Sequence, residues 1–142
     1  MSRRERTALI TGSGQMIGRG IALRLAEAGF NIILNGSKNT AACESVAEEL
    51  ASFDVDTLIA MGNVGKKDEA LGIAKAGLDE FGTIDVLVNN AAIRPHSGFL
   101  EISEEEWDQV QDVNLNSVIW LSKACLPGMM EKQWGRIVTF TG

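Results

Sequence analysis

The amino-acid sequence predicts an α/β fold in which a doubly wound, open parallel sheet carries helices on both faces. Short apolar runs alternate with stretches of helical periodicity along the whole chain, and a glycine-rich turn joins the first run to the first helical stretch. Right-handed crossovers between parallel strands place the intervening helices on both faces of the sheet. With 142 residues the chain suits one domain, so we expect residues 1–142 to share one core.

The first half of the chain contains two strand and helix units. Residues 8–10 are an apolar run, and the helix after the glycine turn ends before Gly29. Its apolar stripe consists of Ile17, Ile21, Leu25 and Ala28. Residues 31–34 form the second run, and the helix predicted over 40–53 carries one apolar face that consists of Val46, Leu50 and Phe53.

The third unit has a strand over 57–60, a turn over 62–65 and a helix that ends at Gly82. The apolar positions of this helix are Ala70, Ile73, Ala74 and Leu78. Residues 85–88 form the fourth strand, whose continuous apolar run is typical of strands that are buried on both faces of a parallel sheet.

The fourth helix has the clearest start. Ser103 and Glu106 predict a capping box, and the glutamates at 104–106 favour a helix N-terminus over the alternative of an acidic metal site. The expected core positions of this helix are Trp107, Val110, Leu121 and Cys125. Pro127 predicts a kink, and residues 136–140 predict a fifth strand. The expected strand order 3-2-1-4-5 leaves this fifth strand as an open hydrophobic edge.

Composition excludes several classes of protein. The net charge of −6 disfavours a nucleic-acid partner, and no metal site is expected. No apolar stretch approaches the roughly 18 residues of a membrane span, so no membrane partner is expected. Cys43 and Cys125 are far apart in the sequence and fit neither a disulfide scaffold nor a zinc ribbon. We therefore expect a soluble, cytoplasmic protein.

The glycine turn predicts a phosphate-binding site. It runs from strand to helix, where backbone N–H groups and the helix dipole favour a diphosphate. The alternative is a plain tight turn between a strand and a helix. The candidate cofactor-binding residues of the turn are Gly12, Ser13, Gly14, Gln15, Met16, Ile17 and Gly18.

The segment after the second strand bears on the choice of cofactor. Residues 35–38 contain no carboxylate for an adenosine ribose, whereas Ser37 offers a hydrogen bond and Lys38 a positive charge. A 2′-phosphate would be tolerated there, which favours NADP over NAD. The other interpretation of the same residues is ordinary turn chemistry.

Four motifs in order resemble the short-chain dehydrogenase/reductase family, from Thr7 to the end of the chain. The first is the glycine motif that begins at Thr11 and ends at Gly18. The others are Asn63-Val64, the stretch Asn89-Asn90-Ala91-Ala92, and Asn114 within Val113-Asn114-Leu115. The chain is similar to the N-terminal, cofactor-binding part of that family, which implies a Rossmann-type fold.

The resemblance implies hydride transfer between a nicotinamide cofactor and a small carbonyl or alcohol substrate. It implies that Asn63 and Val64 lie beside the adenine, that Asn114 takes part in a proton relay, and that the chain forms a homodimer or homotetramer. The further cofactor-binding residues that it implies are Asn90, Ala91 and Ala92. The alternative interpretation of Asn114 is an asparagine that repairs backbone hydrogen bonds near a bend, and the family resemblance favours the relay role.

The sequence also departs from the family pattern. Met16 stands at the middle glycine of the motif, Ala92 and Asn63 replace a glycine and an aspartate, and Gly142 stands at the catalytic serine position with Thr141 before it. The chain has no tyrosine, although a tyrosine and a lysine are the family's acid/base pair. We therefore expect part of a longer protein that is inactive by itself. Two alternatives are a catalytically inactive nucleotide-binding or scaffold protein of the same fold, and a flavodoxin-like domain.

Overall fold

The computed structural model describes residues 6–141 and contains a five-stranded parallel sheet. The strands follow the order β3-β2-β1-β4-β5, which confirms the predicted fold class and topology. Residues 1–5 and Gly142 lie outside the described residues, and so does the expectation about Gly142. The strands are β1 (Thr7–Ile10), β2 (Asn31–Leu34), β3 (Thr57–Ile59), β4 (Val86–Asn89) and β5 (Arg136–Thr139).

The central strand β1 is hydrogen-bonded on both sides. Leu9 lies opposite Ile33 of β2 and opposite Leu87 of β4. Because β2 leads outward to β3 and β4 leads outward to β5, the strand order reverses between β1 and β4. In open parallel sheets, ligands bind outside the carboxyl ends of the strands at such a reversal point.

The helices lie close to their predicted positions, with one difference. A π-helical segment, Asp112–Asn116, divides the single fourth helix that the periodicity predicts. Its five-residue hydrogen-bond spacing shifts the helix face, so the apolar spacing does not continue across it. Pro127 lies inside the last helix. The helices are α1 (Met16–Glu27), α2 (Thr40–Leu50), α3 (Lys67–Phe81), α4 (Glu104–Gln111) and α5 (Ser117–Glu131).

Two hydrophobic clusters fill the two faces of the sheet. On one face Leu9, Ile33 and Leu87 pack with buried residues of α3 and α5. On the other face Ile10 and Leu34 pack with buried residues of α1 and α2. Both faces of the central strands are therefore covered, as their continuous apolar runs indicate.

The buried face of α1 differs from the predicted stripe. Its buried residues are Gly18, Ala22 and Ala26, whereas Ile17 is exposed and Ile21 is half-buried. These small residues allow the axis of α1 to come close to the sheet. The large side chains, Ile17 and Ile21, lie on the side of the helix that the sheet does not cover. Together with Val138 and Phe140 they line an apolar groove beside β5.

The fourth helical region corrects two further predictions. Trp107 is half exposed and is not a core residue. Ser103 does cap α4 by accepting a hydrogen bond from the N–H of Glu106. The Glu106 carboxylate does not complete the box, because it accepts instead from the N–H groups of His96 and Ser97 in the preceding loop.

At the amino ends of the strands, a buried carboxylate connects three segments of the chain. The Asp85 carboxylate accepts hydrogen bonds from the Thr7 N–H at 2.9 Å and from the Lys132 ammonium at 2.9 Å. Lys132 also binds the Thr83 hydroxyl. This pair anchors the region after α5 to the starts of β1 and β4, so β5 enters the sheet in a fixed register.

Candidate functional site

A cavity of about 950 Å³ lies at the carboxyl ends of the strands, where the strand order reverses. The turn after β1 lines its centre. The segments after β2 and β3 line one side, and the loop after β4 with the adjoining α4 and π segment lines the other. The volume lies in the range of pockets that hold cofactors or other small molecules.

The turn after β1 needs glycine at two positions. Gly12 has a φ of 62°, a left-handed conformation that glycine adopts without steric cost. A Cβ on Gly18 would lie 2.3 Å from the Gly12 carbonyl oxygen and 2.7 Å from the Asn90 amide nitrogen. Any larger residue at position 18 would therefore push α1 away from the turn.

Reciprocal hydrogen bonds join the turns after β1 and β4. The Thr11 hydroxyl accepts hydrogen bonds from the N–H groups of Asn90 at 3.0 Å and Ala91 at 2.9 Å. In return, the Asn90 side chain donates to the carbonyl oxygens of Thr11 and Gly12, both at 3.1 Å. These bonds fix the two glycine- and alanine-rich turns against each other, so the cavity floor is preorganised.

Asn35 is the polar hub of the other side of the cavity. Its side chain is buried and donates to the carbonyl oxygens of Ala60 at 2.9 Å and Gly62 at 3.2 Å. Its amide oxygen accepts from the N–H of Gly12 at 3.2 Å. Its own N–H donates to the Ser13 hydroxyl at 2.9 Å. One residue thus aligns the chain segments that follow β1, β2 and β3.

The N-terminus of α1 opens onto the cavity without an internal partner for its charge. The residue before the helix, Gln15, makes no side-chain cap, and the first turn contains no acidic residue. By contrast, α4 has the Ser103 cap and three glutamates in its first turn. The free N–H groups and positive dipole end of α1 therefore suit an anionic ligand.

Charged residues along the cavity are mostly cationic. Lys38 lines the cavity and makes no ion pair among the residues that the structure describes. Lys66 also lines it but lies 3.2 Å from Glu69. The carboxylate of Asp112 is bound by the Asn116 amide at 2.7 Å. Lys38 is therefore free to meet an added negative charge.

The turn after β3 is held by its own side chains. The Asn63 amide oxygen accepts from the Gly65 N–H at 2.9 Å, and the Asn63 N–H donates to Glu69 at 2.6 Å. This N–H and the ammonium of Lys66 hold the pKa of the Glu69 carboxyl below its usual range. Val64 is buried below the turn. The Nδ2 group of Asn63 remains as a donor at the cavity.

The loop after β4 is pinned at two points. The Asn114 side chain accepts from the N–H of Ile93 and donates to its carbonyl oxygen, both at 2.9 Å. Hydrogen bonds from the Ser97 side chain and the His96 N–H lower the pKa of the Glu106 carboxyl. His96 lies at the cavity but is exposed. The wall of the cavity on this side is thus fastened to α4 and the π segment.

Two predicted site residues do not line the cavity. Ser13 is fully buried, where its hydroxyl serves Asn35. Asn114 is exposed rather than set on an apolar face, and it acts on the cavity through Ile93. The predicted residues that do line the cavity are Gly12, Gly14, Gln15, Met16, Ile17, Gly18, Ser37, Asn63, Val64, Asn90, Ala91 and Ala92.

Sequence reasoning missed Asn35 as a functional residue and used Thr11 only as the start of a motif. The signal for both is a polar residue directly after a buried apolar strand. Cys43, which also lines the cavity, gave no such signal because it lies within α2. Burial raises the pKa of its thiol, so the group is kept protonated.

Residues 6–141 contain neither a metal-binding cluster nor a membrane-spanning helix. No group of three or more histidine, cysteine, aspartate or glutamate side chains there is placed to hold a metal ion. No helix in this part of the chain is long and apolar enough to cross a membrane.

The fold and the site together define a class of protein. A glycine turn that leads from the central strand into an uncapped helix, at the reversal point of a parallel sheet, is typical of nucleotide-binding α/β proteins. The sequence model of the family described as short chain dehydrogenase matches residues 6–141. The chain belongs to the short-chain dehydrogenase family.

Curated relatives agree with this assignment. A 3-oxoacyl-[acyl-carrier-protein] reductase FabG from Staphylococcus epidermidis is 40% identical over 138 residues, which are 96% of this chain and 56% of the relative. The protein of the same name from Vibrio cholerae is 40% identical over 139 residues, which are 97% of this chain and 55% of the relative. The chain spans about half the length of these relatives.

Solved structures show the same fold. A metagenomic short-chain oxidoreductase in complex with NADP superposes with a TM-score of 0.90 at 26% identity, covering 98% of this chain and 63% of that one. A short chain dehydrogenase from Burkholderia cenocepacia gives a TM-score of 0.86 at 24% identity, covering 98% and 56% respectively, and is similar in fold alone.

Proposed function

We propose that this chain is the cofactor-binding domain, residues 1–142, of an NADP-dependent oxidoreductase that interconverts a carbonyl and an alcohol. The observation that carries the proposal is the open N-terminus of α1 at the glycine turn. Its N–H groups face a cavity of about 950 Å³ and have neither a side-chain cap nor an acidic neighbour. Family membership supports the same reaction class.

The residues present fit a dinucleotide. Because Gly18 has no Cβ, α1 can begin close to the glycine turn. The N–H groups at the start of the helix can then converge on a diphosphate. Ser37 and the Nδ2 group of Asn63 supply further polar groups along one side, and Asn90 and the two alanines after it supply a close backbone surface on the other. The bound cofactor would supply the hydride.

The preference for NADP over NAD rests on one end of the cavity. Lys38 has no ion-pair partner among the described residues, and residues 35–38 contain no carboxylate to repel a phosphate. A free ammonium beside Ser37 suits a 2′-phosphate, because hydrogen bonds between ionised groups are about twice as strong as neutral ones. A structural neighbour that was solved with NADP supports this choice.

The role proposed for Asn114 is positioning of the loop beside the reacting groups. Both polar groups of its side chain bind the backbone of Ile93, so it holds the loop wall while the π segment bends the helix. In the family, an asparagine here holds a water in a proton relay. The printed chain has no tyrosine to serve as acid/base, so we propose that it binds the cofactor without turning it over.

An alternative remains within the same fold. A catalytically inactive nucleotide-binding or scaffold protein would keep the cavity and lack the chemistry, and Gly142 at the catalytic serine position favours it. Activity of a longer protein that contains these residues with a 3-oxoacyl-[acyl-carrier-protein], the compound named for the curated relatives, would decide for the enzyme. Binding of NADPH without any turnover in that longer protein would decide for the alternative.

We also propose an oligomeric state and a cellular location for this chain. Four exposed apolar residues of the π segment and α5 share one helix face, which suits a homodimer or homotetramer. Two buried, unpaired thiols suit the reducing cytoplasm. The four residues, named here the α5 stripe, are Leu115, Ile119, Leu126 and Met130.

The experiment that tests the proposed site is a calorimetric titration of the 142-residue chain with NADPH and with NADH. We expect NADPH to bind more tightly than NADH. We also expect Gly12→Asp to abolish binding of both, because a carboxylate there adds negative charge beside the diphosphate and a Cβ lies only 3.1 Å from Ala91. Circular dichroism is the measurement that checks whether this variant remains folded.

The matched control is Gly72→Asp. Gly72 is exposed on α3, and nothing lies within 4 Å of a Cβ at that position, so the same charge is added away from the cavity. This variant is expected to bind NADPH as the unaltered chain does. Unchanged NADPH affinity in a folded Gly12→Asp variant would contradict the assignment of the glycine turn as the cofactor site.

A further inference from the structure

Met16 has an unusual backbone conformation at the mouth of the cavity. It is the first residue of α1 and has a φ of 47°, in the left-handed region. Residues with a Cβ rarely adopt this region, because the Cβ crowds the following carbonyl oxygen. Among the described residues, Gln133 is the other non-glycine with a positive φ, at 52°, and it follows α5 far from the cavity.

The Met16 side chain stands free beside the anion-binding groups. It is 82% exposed and lines the cavity, directly after the uncapped position Gln15. A methionine has three rotatable bonds and a thioether that offers an anion no useful hydrogen bond. In the absence of fixed contacts, this side chain samples space in front of the N–H groups that would receive a phosphate.

We infer that Met16 is an affinity-determining residue whose side chain limits the access of a diphosphate to the N-terminus of α1. The inference rests on the proposed function and deepens it. Binding must confine or displace the free side chain, and confining a flexible side chain opposes association. The backbone of the turn already has the conformation that glycine prefers, so removal of the side chain leaves the receiving N–H groups in place.

Three variants of the 142-residue chain test the inference by fluorescence titration with NADPH. Met16→Gly is expected to lower the dissociation constant by about twofold to tenfold, the cost of ordering one flexible side chain. Met16→Ala keeps a Cβ in the left-handed conformation but removes the thioether, so it is expected to bind more tightly than the unaltered chain as well. Gln133→Gly relieves a similar backbone conformation outside the cavity and is expected to change the constant by less than about twofold.

The outcomes separate the inference from the proposed function. Tighter binding by both Met16 variants, with Gln133→Gly unchanged, supports it. The inference is overturned if the unaltered chain binds NADPH and Met16→Ala, alone or together with Met16→Gly, fails to bind it more tightly. The proposed function stands in that case. An equal gain in Gln133→Gly also overturns it, because the effect would then be one of general stability. No binding by any of the four proteins overturns the proposed function and the inference together.

Discussion

At the scale of single residues, Asn35 shows how one side chain can organise a site without touching a ligand's charge. Asn35 follows β2, and its amide group binds backbone groups of Gly12, after β1, and of Ala60 and Gly62, after β3. Buried backbone groups need partners, and an apolar residue at position 35 would leave several without one. The shape of the cavity on this side therefore depends on a residue that is almost wholly buried.

Replacement of this side chain provides a direct test. Asn35→Ala is expected to lower the free energy of unfolding by about 1–3 kcal/mol, because the N–H of Gly12 and the carbonyl of Ala60 lose their partner in a buried setting. Equilibrium urea denaturation measures the loss. The control is Asn31→Ala, which removes an exposed hydrogen bond from the Asp56 N–H and is expected to cost less than about 1 kcal/mol. Equal losses in the two variants would contradict the hub role.

At the scale of secondary-structure elements, the loop after β4 depends on α4 for its shape. The carboxylate of Glu106 accepts from two successive backbone N–H groups, those of His96 and Ser97. The ionised carboxylate is the stronger acceptor for these N–H groups, which agrees with the lowered pKa of Glu106. The loop that lines the cavity is consequently fixed by a group that titrates.

The pH dependence of this contact follows from the sign of the shift. A carboxyl whose pKa is lowered in the folded state stabilises above its ordinary pKa, about 4.3, and loses the contribution as the pH falls through the lower folded value. Glu106→Gln is therefore expected to speed hydrogen–deuterium exchange over residues 93–98 several-fold at pH 7. After correction for intrinsic rates, the difference from the unaltered chain is expected to shrink below the folded pKa.

Glu105→Gln is the matched control for this prediction. Glu105 lies in the same first turn of α4 and has no hydrogen bond to the loop. Its replacement removes the same charge and is expected to leave the exchange of residues 93–98 unchanged. Equal acceleration by both variants would mean that the charge of the helix start, and not the contact of Glu106, orders the loop.

Much of the arrangement of elements can be predicted from the sequence. Continuous apolar runs and glycine stops locate the strands, and right-handed crossovers then leave few topologies. The faces of the helices are harder to predict. Gly18 and Ala22 are buried in α1 because they are small, which a hydrophobic pattern does not register. A π segment lies between Trp107 and the later apolar positions and shifts the helix face. The apolar spacing therefore does not predict the burial of Trp107, which is half exposed.

The residues of the candidate site can likewise be predicted from the sequence only in part. The glycine turn and Asn90 could be located because motif residues follow the strands that the pattern predicts. Ser13 could not be separated from its neighbours, since burial depends on the partner strand β2. Of the predicted capping box, the structure shows the Ser103 cap alone, because the local sequence does not reveal that loop residues nine and ten positions earlier bind Glu106.

At the scale of the whole molecule, the α5 stripe leaves an apolar face exposed along the last helix. Its residues recur at helical spacing, while Leu121, Cys125 and Met129 occupy a separate, buried face of α5. Burial raises the pKa of Cys125 to about 12, in keeping with an apolar interior on that side. An exposed stripe of this kind is typical of surfaces that pack against another subunit.

One substitution tests this surface. Ile119→Glu places a charge within the α5 stripe and is expected to convert an associated chain to monomer in sedimentation velocity experiments, because an unpaired charge is costly in an apolar interface. Leu71→Glu adds the same charge to an exposed position of α3, outside the stripe, and is expected to leave association unchanged. A monomeric unaltered chain, or dissociation by both variants, would contradict the proposed interface.

The position of β1 between β2 and β4 also governs the order of events during protein synthesis. Leu9 meets Ile33 early, but its other neighbour, Leu87, emerges much later. At the usual pace of translation, about 5–20 residues per second, that delay amounts to roughly 3 to 11 s. For this interval the nascent chain carries β1 without its second neighbour, so one edge of the strand has unpaired backbone groups. Until β4 and β5 have been synthesised, the second edge of β1 is therefore open to pairing with other strands.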